Sequence, residues 1–166
     1  MIGRFAFDRS GTAGVEMALV LPFLLVLMFA GLEAGHFFWT EHKLVKAVRD
    51  GARYASRLEV GSLCDGATAV LDSGTEDDIQ LLTRTGQITD TAATPTVPGW
   101  SADAVVVTVS CQAFVSDGIY NDLGGAGPIV TVASGSVPYP SIFGQLGLLT
   151  TSLNLSAKSS AAVTGI

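Results

Sequence analysis

Two histidines, two cysteines and fifteen carboxylates are the residues of this 166-residue chain that could do chemistry. Glu33-Ala-Gly-His36 sets a carboxylate and an imidazole one helical turn apart, the spacing by which di-iron bundles hold metal. Such a site needs a second copy and further carboxylates. Neither occurs here, so no metal is expected and His36 reads as an interfacial side chain. His36 and His42 both lie in the N-terminal third, which leaves the serines of the distal part without the base of a Ser-His-Asp triad. Gly124-Gly-Ala-Gly127 lacks the Lys-Ser/Thr that completes a phosphate loop, and neither a G-x-S-x-G elbow nor an H-E-x-x-H pair is present. The acidic trio Glu76-Asp77-Asp78 lacks the alternation of a calcium loop. No enzymatic activity and no cofactor are expected. Three residues are left to interpret: Glu16, a carboxylate opening an apolar run, and the pair Cys64 and Cys111.

The elements that position these residues follow from where the hydrophobicity lies. The chain is 48% hydrophobic and 14% charged, against about 25% charged in an ordinary soluble domain. Met17 to Leu32 is free of charge, and apolar character resumes after Glu33 as far as Trp39. The clean stretch spans about 24 Å and the whole run about 35 Å at the helical rise. A hydrocarbon core of roughly 30 Å therefore fits one membrane-crossing helix over about residues 17–39. Glu33 then lies near one interface, with Phe37, Phe38 and Trp39 as an aromatic anchor. A buried core helix would need more chain to wrap it, because Leu19 to Phe29 is apolar on every face. A cleaved secretory signal would need a small-residue site after the run, and none follows Leu32.

Past the span, Leu44, Val45, Val48, Ala52 and Ala55 recur at helical spacing, so the helix is expected to continue to Leu58 and to stop near Gly61. Lys46, Arg49, Arg53 and Arg57 fall mostly on the opposite side, as a solvated face or one that meets anionic lipid. Pro22 should kink the membrane part, and Gly31 and Gly35 form a G-x-x-x-G pair at which two helices can approach closely. The basic residues beyond the span favour the cytoplasm by the positive-inside rule. Two cysteines in the distal part favour an oxidising compartment instead. Large domains translocate largely regardless of charge, so the expected orientation is N-terminus in the cytoplasm and distal domain outside.

Residues 60–166 hold nine acidic and two basic side chains, whereas residues 1–59 are nearly neutral. An acidic head is a poor surface for nucleic acid. Thr75 to Gly86 reads as a short helix with Thr75 as N-cap. Thr89 to Trp100 reads as a loop and Tyr139 to Gly144 as a turn. Ala104 to Val115, Pro128 to Tyr139 and Ser152 to Val163 read as strands, the last half-solvated, with Leu153, Leu155, Ala157, Ala161 and Val163 on one face. Cys64 and Cys111 are either bonded, tying the helix exit to a strand, or two buried thiols; export favours the bond. The fold class is α+β: a long N-terminal helix over residues 12–59 packed on a small antiparallel sheet within 60–166.

The head of the chain resembles a type IV prepilin processing signal. A short basic leader over residues 1–11 ends in Gly11, Thr12 would become the new N-terminus, and Glu16 would stand fifth before the hydrophobic helix. Gly14 is a rival cleavage point that would leave Glu16 second. More narrowly, Gly14-Val-Glu-Met-Ala-Leu-Val-Leu-Pro-Phe-Leu-Leu25, Glu33 and Ala47-Val-Arg-Asp-Gly-Ala-Arg-Tyr-Ala55 resemble TadE-like proteins, the pseudopilins or minor pilins of the tight-adherence (Tad) pilus. The resemblance implies a pilin-like α+β fold, processing by a prepilin peptidase, and assembly with pilin subunits and platform proteins at the bacterial inner membrane. It also implies a partner for Glu16, the fresh α-amino group of a neighbouring subunit, in addition to the membrane lipid around the helix. Without it, the chain reads as an unprocessed single-span protein with an outer binding or scaffolding domain, and Glu16 as a wetted carboxylate at its own helix start.

Overall fold

A computed structural model describes residues 12–111, 128–147 and 153–165. Gly11 and the rest of the leader, the expected strand end at 112–115 and the glycine run 124–127 lie outside the described residues. Helix α1 spans Thr12–Ala55 and passes through Pro22 without interruption. A short helix α2 (Val60–Leu63) follows, then a two-residue hairpin of β1 (Cys64–Asp65) and β2 (Thr68–Ala69). Helix α3 is Ser73–Thr85. Strands β3 (Val105–Ser110), β4 (Ile129–Pro138) and β5 (Asn154–Ala162) make an antiparallel sheet with β4 in the centre, and a single turn of helix, α4 (Ile142–Gln145), lies between β4 and β5. The architecture is α+β, a long apolar helix followed by a small antiparallel domain.

The upper half of α1 is the spine of that domain. Leu44, Val48, Ala52 and Ala55 are fully buried, while Lys46, Arg49 and Arg53 face solvent, as the helical spacing predicts. Small residues on this face let neighbours come close. A Cβ on Gly51 would overlap the Thr83 hydroxyl of α3, which donates to the Ile79 carbonyl at 2.6 Å. Sheet and α3 both pack on α1, with Trp100, Val97 and Ile79 closing the core.

Three boundaries differ from the sequence reading. Helix α1 ends at Ala55 instead of Leu58: beyond it the Arg57 and Leu58 amides reach back only three residues, to the Tyr54 and Ala55 carbonyls, while the Ser56 carbonyl accepts from the Thr164 amide at 2.8 Å and Gly165 bridges Glu59. Gly61 therefore lies within α2 and does not stop the long helix. The N-cap of α3 is Asp72, not Thr75. Its carboxylate accepts from the Gly74 and Thr75 amides at 2.9 and 3.0 Å, and Thr75 sits inside the first turn. Gly86 closes that helix in the left-handed conformation, φ 77°. Leu153 precedes β5 and is 56% exposed, although Leu155 behind it is buried.

Cys64 and Cys111 are bonded, with Cα atoms 5.9 Å apart. The link ties the exit of α1 and α2 to the end of β3 across 47 positions of sequence. Closing such a loop stabilises by about 4 kcal/mol in the chain-entropy model. Replacing both cysteines with serine should lower the unfolding free energy by about that amount. A urea titration of the purified full-length protein, followed at Trp100, would measure it; an unchanged midpoint would contradict the expectation.

Candidate functional site

Among the described residues, the head leaves most of the lower half of α1 uncovered. From Ala13 to Leu32 every residue is exposed, including Leu19, Phe23, Val26 and Leu27 at 66–75%. One 18-residue window reaches a mean hydropathy of 2.4 and is not buried at all. Glu16 lies on this exposed surface, in the second turn of the helix. Gly14, Gly31 and Gly35 meet nothing within 4 Å of an added Cβ, so the G-x-x-x-G face is open to another helix. Thr12 is the first helical residue.

Glu33 and His36 come together around a tyrosine. Among the described residues no group of three or more His, Cys, Asp or Glu is placed to hold a metal ion. Tyr139 is 8% exposed and reaches α1 from the end of β4. Its hydroxyl donates to the Glu33 carbonyl at 3.2 Å and lies 3.0 Å from His36 Nδ1. A hydroxyl has one proton, so His36 must donate through Nδ1–H for both contacts to be satisfied. Phe37 stands edge-on to the same ring, centroids 5.2 Å apart. The Glu33 carboxylate turns toward the Ser141 hydroxyl and the backbone of Ile142 and Phe143, and its Oε2 is buried without a hydrogen-bond partner. An apolar cavity of about 560 Å³ opens beside it, between Ala30, Ala34 and Phe38 of α1 and Phe143 and Leu153.

A β-bulge is what aims Tyr139 at the helix. Val130, Val132 and Ser134 point inward with the period of two that a strand imposes. Between Ser134 and Val137 the register with β5 shifts, three positions on β4 matching two on β5. Ser136 occupies the left-handed region there, φ 56°. The extra residue changes the parity of the strand, so Val137 and Tyr139 are buried instead of exposed. Sequence reading placed Tyr139 where a strand ends and a turn begins and missed this role. The Gly135-Ser136 step in an otherwise β-branched run is the signal that was there to find.

Burial, then the neighbouring Glu33 carboxylate, push the Tyr139 phenol up to about 12. A phenol whose folded pKa exceeds its unfolded value of 10.0 adds stability that is complete below pH 10 and is lost as the pH rises toward 12. In a spectrophotometric titration, one of the three tyrosines should ionise late. Tyr139→Phe should abolish that late step and cost about 1 kcal/mol for the lost hydrogen bond. Three tyrosines ionising together would contradict this.

Comparison with known proteins bears on this same helix. Residues 11–53 match the family model described as TadE-like protein. No curated protein and no solved structure gives a significant match to the chain. The family match ends two residues short of the end of α1, and it takes in Glu16, the bare apolar stretch, Glu33 and the buried stripe up to Ala52. Over its long helix, and not beyond it, the chain thus matches the model of the TadE-like family.

Proposed function

We propose that the protein is a structural subunit, a processed pseudopilin or minor pilin of the Tad pilus, and that it performs no catalysis. The observation that carries this is the TadE-like match lying on a helix whose charge-free stretch from Met17 to Leu32 is exposed on every side. In this reading α1 crosses the bacterial inner membrane once, with the N-terminus in the cytoplasm and the acidic head in the periplasm. The Cys64–Cys111 bond supports the oxidising side for the head. Prepilin peptidase cuts after Gly11, and Thr12 becomes the terminus of a helix that then leaves the bilayer for a bundle of pilin or pseudopilin helices on the assembly platform. Glu16 sets the axial register there by pairing with a neighbour's α-amino group, since a carboxylate left unmatched among apolar helices is costly. Gly31 and Gly35 supply a face for close helix contact.

Two measurements test the proposal. Intact mass and N-terminal sequencing of the membrane-extracted protein should find a start at Thr12 in cells with an active prepilin peptidase. A retained Met1 would favour an unprocessed single-span protein with an outer binding domain, and a start at Val15 would remove the fifth-position role of Glu16. Glu16→Ala should leave the head folded and sharply lower incorporation into sheared surface pili. Unchanged incorporation would show that the carboxylate does not guide assembly.

A further inference from the structure

Below Glu33 the head also reaches α1. Phe143 of α4 stands edge-on to Phe29, centroids 6.0 Å apart at 79°. Phe29 lies four residues below Glu33, about 6 Å of helical rise, and within the charge-free stretch. Helix α4 therefore hangs below the rest of the head, alongside the surface that α1 offers to lipid. Its exposed side chains suit that depth: Ile142 is 38% exposed, Leu146 66%, and Leu153, across the cavity, 56%. No Asp, Glu, Lys or Arg stands between Pro140 and Asn154, in a head whose other parts carry nine acidic residues.

The backbone of α4 is also closed on itself. The Gly144 amide donates to Ser141 Oγ at 3.0 Å, the Gln145 amide to the Ser141 carbonyl at 3.0 Å, and the Leu146 amide to the Ile142 carbonyl at 3.2 Å. Satisfied polar groups are the condition for chain to rest at the edge of hydrocarbon, where water is scarce. Apolar side chains on such a turn gain by entering the acyl–headgroup boundary.

We infer that α4 and Leu146 seat in the leaflet on the head's side of the membrane, as a second bilayer contact that fixes the tilt and rotation of the head about α1. This rests on the membrane reading of α1, and the occupant it commits to is lipid, continuous with the lipid around Ala13 to Leu32.

Full-length protein with one engineered cysteine, labelled with an environment-sensitive fluorophore, can be reconstituted in phosphatidylethanolamine–phosphatidylglycerol vesicles. The native cysteines are bonded and do not react. Quenching by lipids with a doxyl group high on the acyl chain is compared at Ile142→Cys and Leu146→Cys, with Val20→Cys on α1 and Thr108→Cys on the exposed face of β3 as references. Positions 142 and 146 should be quenched at least about twofold more than 108, as interfacial insertion requires. Quenching at 20 but not at 142 or 146 overturns the inference while keeping the spanning helix. No quenching at 20 overturns the membrane reading and the inference with it. A blue-shifted signal at 142 and 146 without doxyl quenching overturns it in favour of a neighbouring subunit as occupant. Leu146 projects from no strand and is mostly exposed, so its variant stands if Ile142→Cys disturbs the fold.

Discussion

The thirteen large apolar side chains exposed on α1 between Val15 and Leu32 are the constraint on which everything else rests. Leaving each in water costs roughly 1.5–3 kcal/mol, or some 20–40 kcal/mol together. A whole domain is stabilised by only about 5–15 kcal/mol. No rearrangement of the small head could offset such a surface, so the helix must be covered by lipid or by other helices. This ratio decides where the molecule can reside. It also makes a transfer between membrane and helical bundle feasible, because one apolar cover replaces another at small net cost.

A helix that is apolar all round for half its length and one-faced for the other half needs a defined changeover. It falls between Leu32 and Thr40, the first buried residue of the spine. Along these two turns the head holds α1 through Tyr139, with Phe37 packed on its ring and His36 hydrogen-bonded to its hydroxyl. The junction depends in turn on the bulge at Gly135–Ser136, since without the extra residue the alternation of β4 would turn Tyr139 to solvent. The Tyr139 contact with α1 thus depends on a register shift in a central strand.

Local patterns made much of this legible in the sequence. The charge-free run, the stripe from Leu44 to Ala55, the β-branched strands and Gly86 as a helix stop all express periods or residue preferences confined to a few positions. What could not be read locally depends on distant partners. Just past the end of α1 at Ala55, the Ser56 carbonyl is taken by Thr164, more than a hundred residues on. Asp72 outcompeted Thr75 as a cap because Gly74, which looks like a breaker, is accepted into the first turn, where its amide bonds to the Asp72 carboxylate. Gly51 gives no sign in sequence that it abuts Thr83, and the Glu33–His36 spacing gives none that Tyr139 bonds to both residues. In the candidate site, the residues on α1 were legible and the head residue that organises them was not.

The position of the head along α1 has a consequence for Glu16. If the head covers the helix from Glu33 upward, the free apolar length runs down from Leu32. Twenty-one residues, Thr12 to Leu32, span about 31 Å, close to the thickness of a hydrocarbon core. A span placed further along, over about residues 17–39, would have left Glu16 outside the hydrocarbon, but it would also submerge His36 and the Tyr139 contact. Moving the span down to spare those groups brings Glu16 within about one turn of the lower boundary, where a carboxylate is costly unless it reaches headgroups or meets a cation. In that placement, the packing that holds the head beyond Leu32 puts the demand for a partner at the other end of the helix.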